Sequence, residues 1–534
     1  MSLSERVKVP MPESGVTTRR SGGRSYVYKV TRSYRNGKGQ PTSDRVSIGR
    51  LDAATGMLVP NDNYWVLYEG AGVEILPSYD SVRSVGATFL VGGILEGLGA
   101  GRMLQAVLGP ERASLALTAA TYMTCRGNVM EHILGWCESH TLCEAALDDR
   151  MASALFSSIT FGERMAFFRA WVAAHGEDGY LAYDVTSFSS YAKGIQGTEW
   201  GHNRDGERLP QINMGCYMGF RSALPLFYVT YPGSIVDKSH MAYMMAYNAD
   251  LGIHGATFVV DRGFCTTANV RYLHGEGMPY ILGVEVRHKA TKAAIDKVAD
   301  GMASMRRRIC QGIYAECVRG FFYGEQANMH IYLDPALAEA QRSDLYRTVE
   351  AQEERLAQMG QQTKKEAKRL SAFFDIGLGE GGTFTFKRSY SRIDEAARHA
   401  GYFCLLTSTD LSSAEALGIY RRRDVIEKCF DDLKNHVDMK RLRTHSTETA
   451  DGKLFCAFLA LIAACQVNAK LGKAMKDMAM SKDSVIAEMD KIKAVYASGG
   501  RRLMNPVTKT QRLILEAFGL GEGDVKSYVA SKPA

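Results

Sequence analysis

Several common features are missing from this sequence of 534 residues. It contains no Cys-x-x-Cys pair, and its eleven cysteines show no paired ligand spacing, so a thiolate metal site of the usual kind is not expected. The thiols read as reduced and mostly core. No apolar run exceeds the 12 residues Leu454 to Cys465, too few to cross a bilayer, and that run reads as a buried helix. The first 30 residues are polar and lack the apolar stretch of a secretory signal. His202, His240 and His254 have no ligand spacing and read as structural or substrate-facing. The segment GLGEGG at 377–382 fits a Gly-x-Gly-x-x-Gly pattern, but TFTFKRS follows it where a phosphate-binding loop needs a helix, so it reads as a loop. Tryptophan is scarce: Trp65, Trp136, Trp171 and Trp200 are the only four.

The chain is too long for one ordinary core, which points to a catalytic domain with added modules. Its net charge of +7 is uneven: residues 1–50 hold 11 Lys and Arg against 3 Asp and Glu, a local surplus of +8. A basic start suggests a polyanionic partner. Within it, residues 24–59 alternate β-formers with polar residues around Asn36-Gly37 and Gly39-Gln40-Pro41, predicting a hairpin or three-stranded unit. Apolar residues at three and four spacing predict helices from about 80 to 175.

Next come a strand over 180–185, a strand pair over 211–231, a helix over 239–252, a short buried strand over 256–261, a helix over 266–277 and a strand over 279–286. Three strands, helix, strand, helix, strand is the order of a ribonuclease H-like core. Residues 287–400 interrupt it, with strands predicted over 321–333, 383–390 and 402–407 and a helix of alternating charge over about 341–370 that reads as a solvated face. The residues from 436 onward read as helical.

The segment YRRRDVIEKCFDDLK, 420–434, carries the densest chemistry. On one continuous helix, Tyr420, Arg423, Glu427 and Lys434 fall within about 60° of arc, beside an apolar face of Val425, Ile426, Cys429, Phe430 and Leu433. Asp184 and Asp261 lie at the predicted ends of two core strands, where side chains face the crevice of an open sheet. With Glu427 they make a three-carboxylate set suited to Mg²⁺ or Mn²⁺. Each residue also has an ordinary reading, as a turn, a helix cap or a solvated ion pair. Their joint placement in fold order favours the site. Asp431, near the same helical edge, is the rival to Glu427.

These motifs resemble the DDE transposases of bacterial insertion sequences, specifically the insertion-sequence-four type. The Y-x2-R-x3-E-x6-K signature is matched by Tyr420, Arg423, Glu427 and Lys434, the aspartate after an apolar strand by Asp184 in YDVTSFS, and the D-x-G-F/Y motif by Asp261, Gly263 and Phe264. The 166 residues from Asp261 to Glu427 leave room for the β-rich insertion of that group. The resemblance covers about 180–470. It implies cut-and-paste transposition: end nicking dependent on Mg²⁺ (or Mn²⁺), a hairpin intermediate and strand transfer. Asp184, Asp261 and Glu427 would hold metal, while Tyr420, Arg423 and Lys434 would bind DNA phosphates. Relatives that form hairpins can stack a flipped base on a tryptophan of the insertion. All four tryptophans here precede that region, leaving Phe321, Phe322 or Tyr323 as substitutes.

The expected fold is therefore α/β: a ribonuclease H-like core over 176–286 and 401–470, a β-rich and helical insertion over 287–400, a basic β unit over 1–75 that binds DNA, a helical module over 76–175 and a helical region over 471–534. Expected partners are the terminal inverted repeats, target DNA and a second copy of the chain in a homodimer. The expected location is the bacterial cytoplasm, at the nucleoid when bound to DNA, with no membrane. Two other functions fit the same residues: a DNA-binding descendant that has lost catalysis, and a ribonuclease H-like nuclease without strand transfer.

Overall fold

The structure is a computed structural model describing residues 8–68, 79–141, 146–201, 203, 205–310, 312–358, 372–378, 384–497 and 501–532. His202, Cys143, the part of the charged helix beyond 358 and most of GLGEGG lie outside the described residues. The chain forms two compact units, one of residues 1–82 with 495–503 and 533–534, the other of 83–494 with 504–532.

In the smaller unit, β1 (Val16–Ser21), β2 (Arg24–Arg35), β3 (Pro41–Leu51) and β4 (Leu58–Pro60) make one antiparallel sheet in that order. Of these, β2, β3 and β4 fall in the region expected to form a hairpin or three-stranded unit, and β1 precedes it. The β2–β3 turn forms where Asn36 predicts it, since the Asn36 side chain accepts from the backbone N–H of Lys38 and of Gln40, each at 3.0 Å. Val27, Ile48, Leu58 and Tyr64 fill a small core. On the sheet face opposite Val27, the register aligns Arg19, Tyr26 and Arg50 in one row across three strands, and Tyr28 follows on the same face of β2. A further strand, β5 (Tyr79–Ser84), leads out of this unit. The region expected to be helical after 436 also contains strands Lys493–Ala497 and Arg501–Met504.

The larger unit is built on a nine-stranded sheet. Its core strands are β6 (Tyr180–Ser189), β7 (Gln211–Gly219), β8 (Pro225–Pro232), β9 (Thr257–Val260) and β10 (Tyr280–Val284). After them come β11 (Arg308–Cys310), β12 (Ile313–Phe322), β13 (Glu325–Leu333), β14 (Phe374–Leu378), β15 (Phe384–Arg388) and β16 (Tyr402–Thr407). The spatial order is β11-β12-β13-β16-β10-β9-β6-β7-β8. β6 pairs antiparallel with β7 and parallel with β9, and β9 pairs parallel with β10. The five strands β8-β7-β6-β9-β10 thus realise the ribonuclease H-like order. The hairpin β12–β13 extends the same sheet through β16.

Sequence explains the burial. β9 carries the buried apolar run Phe258–Val260, as a strand covered on both faces requires, and every residue of β7 is buried. Helices Asp237–Met245 and Thr267–Gly275 lie on the connections to β9 and β10. Helix Thr447–Asp477, capped by Ser446, contains the long apolar run; it is long and apolar enough to cross a membrane, but 83% of its apolar window is buried inside the protein. Helix Pro335–Gln358 is not wholly a solvated face, because Val349 and Leu356 pack with Phe374 and Ile393.

Candidate active site

Asp184 does not end its strand. β6 continues to Ser189, and it is the parallel neighbour β9 that stops, at Val260. Tyr183 pairs with Val260, so Asp184 and Asp261 follow at the same level of adjacent strands, one still in the sheet and one just beyond it. Capping does not account for Asp261. It makes no capping bond to the turn Arg262–Phe264 that follows, and the next helix is capped by Thr266. Phe264 of the D-x-G-F motif is buried, with its ring 5.2 Å from Tyr183, which fixes the turn against β6.

The segment 420–434 is not one helix. A helix over Ser413–Arg421, started by a Ser412/Glu415 capping box, ends beside Tyr420; a second runs over Asp424–Asp431, and a π-helical turn spans Asp432–His436. At the break the backbone tightens: Arg423, Val425 and Ile426 each donate to the carbonyl three residues earlier. The single-edge projection therefore fails for Lys434. Tyr420, Arg423 and Glu427 still converge.

Arg423 is the centre. Its Nη1 donates to Asp184 Oδ2 at 3.3 Å, and its Nη2 lies 2.5 Å from Glu427 Oε1 and 3.6 Å from Asp261 Oδ1. The Tyr420 hydroxyl donates to Asp261 Oδ1 at 3.1 Å, and the Arg423 guanidinium lies 5.6 Å from the Tyr420 ring centre. Burial alone disfavours a charged Arg423, but Tyr420, Asp261, Asp184 and Glu427 outweigh it and hold its pKa above the usual value. Burial, and then the Asp261 charge, raise the Tyr420 phenol, so it stays a hydrogen-bond donor. Gly283 makes room for this tyrosine: a Cβ there would stand 2.5 Å from the Tyr420 hydroxyl and 2.9 Å from Arg262 N.

Lys434 points elsewhere. Its Nζ donates to both oxygens of Asp205, at 2.8 and 2.7 Å, in the β6–β7 connection. Nothing in the local sequence singles out Asp205; only the folded chain brings it to Lys434. The rival Asp431 takes a hydrogen bond from Asn435 and is exposed, outside the contacts of Arg423. At the start of the π turn, Asp432 is buried, paired with Lys482 and bonded by Asn468 Nδ2 at 2.7 Å. The strand end is tied in as well: Ser189 N donates to Lys440 O at 2.9 Å, and Leu442 N to Ser189 O at 3.2 Å.

Among the other candidates, His240 is structural, with its ring 3.6 Å from that of Tyr231 and its pKa lowered to about 4 by burial. Of the aromatic substitutes, Phe321 is exposed, whereas Phe322 and Tyr323 are buried. The ten described cysteines are all free thiols.

The donor set of Asp184, Asp261 and Glu427 is all carboxylate, the hard-oxygen chemistry that fits Mg²⁺ or Mn²⁺. As they stand, however, no three carboxylate, His or Cys groups among the described residues are close enough together to enclose an ion. They are spaced around a guanidinium.

A family model described as "Transposase DDE domain" matches residues 175–463. Comparison with curated proteins finds no match. Among solved structures, one of the piggyBac transposase synaptic complex with hairpin DNA matches with 10% sequence identity and a TM-score of 0.33, over 73% of this chain and 66% of that one, a likeness too distant to carry an argument.

Proposed function

Because the chain belongs to the transposase DDE domain family, we propose that it carries out metal-dependent, cut-and-paste transposition of the bacterial insertion sequence that encodes it, as an insertion-sequence-four type enzyme. The observation that carries this reading is the convergence of Asp184, Asp261, Glu427 and Tyr420 on Arg423 at the level where β9 ends. Asp184, Asp261 and Glu427 would hold Mg²⁺ or Mn²⁺. When bound, such an ion supplies charge neutralisation and a more acidic attacking hydroxyl for phosphodiester exchange.

The chain's own groups then have separate tasks. Arg423 presents a planar, permanently charged donor to a phosphate, and Lys434 a point charge to the next one. Tyr420, held as a donor, orients Asp261 and the strand lying over it. Together they lower phosphate repulsion where a strand bends sharply, which is what a hairpin step demands. The Arg19–Tyr26–Arg50 row supports DNA contact by the N-terminal sheet, with arginines on phosphate and an aromatic face between them. A homodimer bridging the two inverted repeats completes the reading.

Incubating the full chain and Mg²⁺ with labelled DNA that carries the element's ends tests it. Nicked, hairpinned and joined products are expected. Cleavage without joined products would favour a nuclease, and binding without cleavage a protein that has lost its chemistry. Deleting residues 1–60 should weaken binding and flatten the slope of log K against log salt.

A further inference from the structure

Three carboxylates share one guanidinium here, and that guanidinium is nearly closed off, with 11% of its side-chain surface exposed. It reaches Asp184 from one nitrogen and Asp261 and Glu427 from the other, so it stands between the groups that a dication would have to join. We infer that Arg423 is the internal counter-ion of the triad, a placeholder that an incoming divalent cation must displace, and that its release frees the same side chain for a DNA phosphate. This rests on the proposed metal-holding role of the three carboxylates.

The physical argument has two parts. Three carboxylates aimed at one point repel each other, and a cation between them removes that repulsion. A guanidinium does so here through contacts of 2.5 to 3.6 Å spread over two nitrogens; a small hard dication needs direct oxygen contacts at about 2.1 Å and therefore a tighter cluster. The two occupants exclude each other. Arg423 lies at the tight turn between helices Ser413–Arg421 and Asp424–Asp431, just before Asp424, and the exchange requires its side chain to leave the carboxylates. A site wired this way couples metal loading to DNA grip, because the charge released from the carboxylates appears beside the strand.

Mn²⁺ binding to the full chain without DNA, followed by calorimetry, provides the test. Arg423→Gln removes the competing charge and should bind Mn²⁺ about tenfold more tightly or better, while its metal-free form melts at a lower temperature and recovers more on Mn²⁺ addition than the unmodified chain does. Unchanged or weaker Mn²⁺ binding would overturn the inference and make Arg423 a scaffold for the ligands. The unmodified chain gives a second readout that survives misfolding of the variant: Mn²⁺ should increase phenylglyoxal labelling of Arg423 severalfold, read by peptide mass spectrometry, and equal labelling counts against displacement. Adding Asp184→Asn to Arg423→Gln separates the two ideas. Loss of Mn²⁺ binding in the double variant places the ion at the triad, whereas retained binding means that the metal-holding role of the carboxylates is what fails.

Discussion

Arg423 and Lys434 belong to one motif, and their side chains are equally shielded, at 11% exposure each, yet they are held in opposite ways. Arg423 is divided among three carboxylates and a tyrosine ring; among the described residues Lys434 is matched to Asp205. A shared cation is a junction: moving it changes the fields at three acids at once. A paired cation is a local matter, and removing its partner alters little beyond itself. The two basic residues of the motif therefore differ in kind, one shared among three acids and one paired with a single acid.

The largest effect should come from removing what Arg423 holds. Asp184→Ala, Asp261→Ala and Glu427→Ala are each expected to lower cleavage by roughly 1,000-fold or more while leaving DNA binding largely intact, as measured by product gels and mobility shift. Asp431→Ala should do far less. If one of the three retained normal Mg²⁺-dependent nicking, that residue would leave the triad and Arg423 would no longer be a junction.

Next are the cations themselves. Arg423→Ala and Lys434→Ala should both lose hairpin formation and strand transfer more than first-strand nicking, the former by about 100-fold and the latter by about tenfold. Denaturing gels would show nicked product accumulating. Equal losses at every step for both variants would erase the distinction. Gly283→Ala should follow, with strand transfer down about tenfold, because its Cβ would push the Tyr420 hydroxyl off Asp261; unchanged activity would show that this hydrogen bond is dispensable. The smallest change is expected for Asp205→Asn, which frees Lys434 of its partner and should tighten DNA binding by only about threefold at low salt. Weaker binding would instead make Asp205 the residue that positions Lys434.

The parts of this arrangement were unequally legible from sequence. The strand and helix order from 180 to 286 could be read because β9 and β10 are apolar runs and the intervening helices carry their own punctuation, such as the Thr266 cap. That β12 and β13 continue the same sheet could not, since the link is the pairing of β13 with β16, as of Leu333 with Tyr402, and pairing across such a distance leaves no local mark. The four motif residues were found, but on a helix drawn too straight. Neither Gly nor Pro marks the break after Arg421, and the partners of Asp432 at the start of the π turn, Lys482 and Asn468, are tertiary. Asp205 itself was missed because its role arises entirely from a contact 229 residues along the chain.

The buried Asp432–Lys482 pair bears on anyone wishing to work with a shortened protein. The span matched by the family model stops at 463, so a chain trimmed to it keeps every motif residue but discards Asn468 and Lys482. Both partners of the Asp432 carboxylate would then be gone, together with the part of helix Thr447–Asp477 that carries Asn468, and the turn that starts at Asp432 and bears Lys434 would lose its anchor. Such a fragment would fail by collapse of that turn and be mistaken for a protein with no activity, so the smallest useful piece must extend past Lys482.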